Sequence, residues 1–183
     1  NYICRKCCIK FLVLKILKNI AIKRRIQKNL KNKRKIGQFN GLEIQKIGCI
    51  VDIEKVNDTN FLKDFIKSYG VHSENFIILG YEEKSENTHI GGTPVFTWKD
   101  INYSGIIRNY HADRLSEVQY DILINYFDEP KLPLLLLSSS VKAKFRIGFG
   151  SIPENYNDLI IHSKISDKTI FTEEAKKIIK TIK

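Results

Sequence analysis

The residues with the clearest chemical potential are eight cations and one acid. Residues 22–35 read IKRRIQKNLKNKRK, in which eight of fourteen are Lys or Arg and none is acidic. Lys23, Arg24, Arg25, Lys28, Lys31, Lys33, Arg34 and Lys35 are therefore the candidate anion-binding residues. Lysine brings a mobile point charge, whereas the guanidinium of Arg24, Arg25 or Arg34 forks two N–H groups onto phosphate oxygens. The acid is Asp52, which closes the β-branched run IGCIVD. A carboxylate at the end of a buried strand stands where open α/β sheets hold a metal, a ribose or a base. It can also simply cap the loop or helix that follows, and that structural role is the favoured one.

Other chemistry is not assembled. Cys4, Cys7 and Cys8 cluster as CRKCC, and Cys49 stands far away. One CxxC without a second pair or a CxxH is a weak zinc signal, so reduced thiols and no metal are expected. Gly91-Gly92-Thr93 and Gly148-Phe149-Gly150-Ser151 match neither GxxxxGK[ST] nor GxGxxG, and read as turns. His72, His89, His111 and His162 lack any partner at i, i+4. Ser138–Ser140 lacks a GxSxG elbow and reads as close helix–sheet packing. Trp98, Tyr103 and Tyr110, with Arg108, could stack on bases, but core and rim packing is the expected use. Asp121 and Asp158 open their strands and read as turn or capping residues. No catalytic set is identified and no cofactor is expected.

The charge is divided unevenly. Residues 1–46 hold fourteen Lys/Arg against one acid, Glu43, a formal +13; residues 47–183 hold seventeen against nineteen, a formal −2, so the basic balance belongs to the first quarter alone. The chain has 24 Lys, 29 Ile and 14 Asn against 7 Arg and 4 Ala, the mark of an A+T-rich genome. Such bias multiplies lysines but does not remove acids from one quarter alone. An anionic partner for that quarter is the physical implication. With 43% apolar residues the remainder can build a core and is neither disordered nor disulfide-dense.

The elements that must position these residues follow from periodicity. Ile9, Leu12, Val13, Ile16, Leu17 and Ile20 share one helical face, with Lys10, Lys15 and Lys18 opposite. The longest uncharged apolar run there is Phe11–Leu14, too short to span a membrane. Beyond it Ile22, Ile26 and Leu30 continue the helix at a spacing of four. IGQFNGLE (36–43) breaks it, giving a basic helical arm and hinge over 1–43 and a single domain over 44–183. In the domain KIGCIVDI, NFIILGY, VFTWKDINYSGII, YDILINYF, FRIGFG and NDLIIHS read as strands. DTNFLKDFIKSYG, ADRLSEVQ, EPKLPLLLLSSSVKAK and TEEAKKIIKTIK read as helices, the last capped by Thr172. The expected fold is α/β, three-layer, with a mainly parallel sheet of Rossmann or flavodoxin type. The absence of Met and a start at Asn1 point to residues upstream.

The order IGCIVD, DINYSG, YDILINYF and LLLLSSSVKAKFRIGFG behind a basic leader resembles an uncharacterised family of Bacteroidota, a domain of unknown function. That resemblance implies an α/β domain behind a Lys-rich helix, and no established activity. YDILINYF…LLLLSSSVKAKFRIGFG is also similar, over about 30 residues, to the N-terminal Rossmann half of heptosyltransferase-like glycosyltransferases. The 33 residues after Gly150 leave no room for the second half that such an enzyme needs.

The leading expectation is a non-enzymatic domain docked on structured RNA, ribosomal RNA included, by its basic arm. The first alternative is peripheral attachment to an anionic membrane through the same arm. The second is a small-molecule or nucleotide site beside Asp52. The expected location is the cytoplasm, with the inner membrane surface as its alternative.

Overall fold

The computed structural model describes residues 2–31, 44–56, 58–83 and 92–182; over 2–11 and at 182 it describes the helical backbone alone. The elements are α1 (Tyr2–Lys31), β1 (Ile47–Asp52), α2 (Asn60–Lys67), β2 (Phe76–Glu82), β3 (Val95–Thr97), α3 (Tyr110–Glu117), β4 (Gln119–Tyr126), α4 (Leu132–Ser140), β5 (Lys142–Phe149), β6 (Leu159–Ile161) and α5 (Lys168–Ile182). The six described strands form one sheet in the order β3-β2-β1-β4-β5-β6. Every pairing is parallel. This is the Rossmann order, and it reverses direction between β1 and β4.

β1 is buried at all six positions because both faces of the sheet are covered. On one face Cys49, Val51, Ile122 and Ile124 meet Leu62, Phe65 and Ile66 of α2 and Phe171, Ala175 and Ile179 of α5. Tyr126, Phe149 and Phe171 pack there edge-to-face or tilted, with ring centroids 4.8–5.1 Å apart. On the other face Ile50, Leu79 and Leu123 meet α3, the four leucines of α4, and Ile22 and Ile26 of α1. The second half of α1 is thus part of a helical layer rather than a separate arm. Asn29 Nδ2 donates to Ser139 Oγ near the end of α4 (3.1 Å), and Lys18 Nζ donates to the carbonyl of Trp98, just beyond β3 (2.9 Å). From Lys18 to Lys31, α1 therefore runs antiparallel to the strands, and its earlier residues lead away from the carboxyl edge of the sheet.

Gly105 makes that docking possible. Its φ is +71°, and a Cβ there would lie 3.1 Å from Cα of Ile22. Gly105→Ala combines a left-handed backbone, worth about 1–2 kcal/mol, with a contact against helix backbone. A loss of at least that size in chemical denaturation is expected.

Several boundaries differ from the sequence expectation. VKAK does not extend α4: the helix ends at Ser140, and Lys142–Lys144 begin β5, where Gln119 pairs with Lys142 and Tyr120 with Ala143. The last helix begins at Lys168, so Thr172 is interior, its Oγ1 donating to the Thr169 carbonyl. The stretch 95–107 holds only a three-residue strand, a 3-10 turn at Trp98–Asp100 and a bridge between Ile101 and Ile107. α3 starts two residues early because the Asn109 side chain accepts from the amides of His111 and Ala112. The expected hinge at 36–43 and most of the loop at 82–94 lie outside the described residues.

Candidate functional site

Two regions carry the predicted residues: the carboxyl edge of the sheet and α1. At the edge, Asp52 ends β1 beside the switch between β1 and β4, where such sheets bind ligands. It is fully buried. Lys131, at the entry to α4, places Nζ 2.7 Å from Asp52 Oδ2 and 2.7 Å from Glu54 Oε2. Lys55, from the loop after β1, reaches the opposite way, to Asp128 (2.8 Å) and Glu129 (2.7 Å). The two loops are latched across the switch by reciprocal ion pairs. Burial pushes the Asp52 carboxyl above its ordinary range, and the Lys131 ammonium opposes that rise. A ligand for Asp52 would have to displace Lys131. Reasoning from sequence found the acid but missed Lys131, whose only signal was a lysine one residue before a helix.

Beside this latch an open cleft of about 770 Å³ is lined by Asp128, Gly150, Ser151, His162 and Asp167. Gly150 is packing chemistry there: a Cβ would lie 2.5 Å from His162 Nδ1. At Gly148 a Cβ would run into the Asn157 amide. Gly92 adopts φ +70°, and Thr93 is buried with its hydroxyl 2.7 Å from that of Thr59. Gly91 and His89 lie outside the described residues. His72, His111 and His162 are exposed. No grouping of His, Cys, Asp and Glu among the described residues could hold a metal. Cys49 is a buried thiol, its pKa raised by burial. Cys4, Cys7 and Cys8 lie on the helical backbone of α1, with side chains outside the described residues.

Asp121 and Asp158 are structural at the opposite edge. Asp121 accepts from the amides of Gln45 and Lys46 and from Lys144. Burial works against its charge, but those donors hold its carboxyl below its ordinary range. Asp158 accepts from the Arg146 amide. Arg146 is itself buried, and its guanidinium donates to the carbonyls of Ser138 and Val141, which caps the end of α4. In the serine run, buried Ser138 is tied to β5 through Arg146, while the next two residues join helices: Ser139 meets Asn29 of α1, and Ser140 lies 3.2 Å from Ser116 of α3.

α1 carries five of the eight predicted cations, Lys23, Arg24, Arg25, Lys28 and Lys31, all exposed; Lys33, Arg34 and Lys35 lie outside the described residues. Its inner stripe is Lys18, Ile22, Ile26 and Asn29. Lys18 is 8% exposed and spans the edge of the domain, with Nζ 4.3 Å from the Trp98 ring centroid. Trp98 is consequently not free to stack on a base. The stripe Leu12, Val13, Ile16, Leu17 and Ile20 falls on the opposite, outward side, and these residues are 40–58% exposed. Lys23, Arg24, Lys28 and Lys31 continue the same outward side. One helix thus shows solvent an apolar stripe over Leu12–Ile20 and a cationic one over Lys23–Lys31. Among the described residues no helix is long and apolar enough to cross a membrane.

Fold and site together define an α/β domain of Rossmann strand order with a latched switch point and a basic helix in its helical layer. Residues 18–182 match a family of unknown function, DUF6913, and the chain belongs to that family. The match begins at Lys18, where α1 enters the domain. No curated protein and no solved structure matches the chain.

Proposed function

We propose that this protein is a peripheral membrane-surface protein, its α/β domain mounted on an anionic bilayer through α1. One observation carries the reading: the outward side of a single helix changes from apolar at Leu12–Ile20 to basic at Lys23–Lys31. An anionic bilayer answers both halves at once, acyl chains for the first and headgroup phosphates for the second. In this reading the protein sits at the cytoplasmic face of the inner membrane, and no catalytic step is assigned to it. Docking on structured RNA is the second reading, favoured by five exposed cations with no ion-pair partner among the described residues. RNA would engage the basic stretch alone and leave the five apolar side chains of the outward stripe in water.

The test is co-sedimentation of the full chain with phosphatidylglycerol-rich vesicles, with phosphatidylcholine vesicles and with a ribosomal RNA fragment. Binding to the anionic vesicles that weakens with salt but persists is expected, because apolar contacts are not screened. Retention on RNA alone, falling by roughly 0.7–0.9 in log affinity per neutralised phosphate for each tenfold rise in salt, would transfer the function to RNA. Failure to bind either overturns both readings.

A further inference from the structure

We propose that the cleft over the carboxyl ends of β4, β5 and β6 is a binding site for a neutral sugar ring with adjacent hydroxyls, either a free glycoside or the ribose of a nucleoside. Each of the three strands delivers the residues that follow it to the lining: Asp128 after β4, Gly150 and Ser151 after β5, His162 and Ser163 after β6. The start of α5 adds Asp167 and Ile170. Open α/β sheets hold their ligands outside these strand ends. The volume, about 770 Å³, lies within the roughly 300–1,000 Å³ of small-molecule sites.

The lining is made of groups that pair with hydroxyls. Ser163 Oγ is buried and has no hydrogen-bond partner among the described residues. A buried hydroxyl left unpaired is destabilising, and a ligand hydroxyl would relieve it. The Asp167 carboxylate accepts one long hydrogen bond, from Ser166 Oγ at 3.4 Å, and joins no ion pair among the described residues. Two acceptor oxygens on one carboxylate suit two neighbouring O–H donors. Ser151 donates its hydroxyl proton to the Asp128 carbonyl (2.6 Å), which keeps its lone pairs for an incoming donor. Ile165 and Ile170, the latter 49% exposed, offer apolar surface to the C–H face of a ring. Charge decides against an ion. Asp128 is held by Lys55, which leaves one acid, Asp167, against one base, Lys164. Neither a phosphate nor a metal cation meets a net opposite charge there. The walls are also tied to one another. The Gly150 amide donates to the Ile161 carbonyl (3.2 Å), and the Tyr126 hydroxyl donates to the Ile165 carbonyl (2.7 Å). Binding would therefore order little that is not already ordered.

The experiment titrates the nitrogen-15-labelled full chain with methyl α-glucopyranoside, adenosine, 2′,3′-dideoxyadenosine and inorganic phosphate. Each is taken to roughly 10 mM, which fills most of a site with a Kd of about 1 mM. Saturable shifts of the amides of Gly150, Ser151 and His162–Asp167 are expected with the glucoside or with adenosine, and the two arms tell a free sugar from a nucleoside. Dideoxyadenosine lacks the adjacent hydroxyls and should leave those amides unmoved. Asp167→Asn should weaken binding about tenfold, the scale of hydrogen bonds to a charged group. Its thermal midpoint should hold, because Asp167 precedes the first turn of α5 and Asn serves that position equally well. Ser163→Ala should also weaken binding without loss of stability, since it removes an orphaned hydroxyl. Shifts with phosphate alone, equal shifts with dideoxyadenosine and adenosine, or no shift with any of the four would overturn the proposal. So would shifts confined to amides away from the cleft.

Discussion

Replacing Lys23, Arg24, Lys28 and Lys31 together by Gln is expected to lower partitioning onto phosphatidylglycerol-rich vesicles about a thousandfold. Each basic side chain at an anionic surface contributes about 1 kcal/mol, and about 1.4 kcal/mol is a factor of ten, so four give roughly three decades. All four are exposed on the outward side of α1, away from Ile22 and Ile26. The thermal midpoint should therefore hold while binding collapses, which separates this result from misfolding. A loss under about tenfold would mean that the cations are a solvated face and the apolar half does the docking. The same variant read on RNA gives a reduced salt slope only if RNA is the partner.

The second large effect is on stability. Lys131→Met removes the ammonium that faces the fully buried Asp52 carboxylate. Stripping one partner from a buried pair costs about 3–5 kcal/mol, because the charge left behind has neither water nor counterion. Urea denaturation at neutral pH should show a loss of that order. The pH dependence has a definite sign. Burial raises the folded-state pKa of Asp52 above its unfolded value. As pH falls, the native state takes up the proton first, so stability rises on acidification. Lys131→Met should therefore recover part of its loss as pH falls from neutral toward the ordinary carboxylate range. Adding Asp52→Asn should restore stability and flatten that dependence. If the single variant is as stable as the parent at neutral pH, the latch contributes nothing.

Much of this fold is visible in the sequence, for a physical reason. IGCIVD, NFIILGY and YDILINYF are continuous apolar runs because helices cover both faces, and their shortness and β-branched and aromatic content, rather than any period, mark them as buried parallel strands. Their neighbours in the sheet are another matter, since apolar runs carry no label for the strand beside them. VKAK misleads because Lys and Ala favour helices, yet Lys142 and Lys144 stand at the open end of β5, where long charged side chains reach water. The arm is the most instructive case. Ile9–Ile20 has the right period for one apolar face, but periodicity does not say which stripe turns inward. The thin Ile22–Ile26 series, anchored by Lys18, turned out to be the buried one. Asp52 was identifiable at its strand end, whereas the lysine that occupies it is distant in sequence and is brought there by the loop after the neighbouring strand, β4.

The seating of α1 has a consequence for encounters along a surface. A flexible tether would leave a domain free to tumble about all three axes. This helix is wedged against α4 and clasped by the 98–107 turn, so it behaves as a bracket. A bracketed domain keeps only the spin about the surface normal. Every copy on one membrane would then present the same edge of its sheet at the same height. Two rotational freedoms are surrendered once, on docking, and each later lateral encounter begins already aligned, which raises the effective concentration of the facing edges.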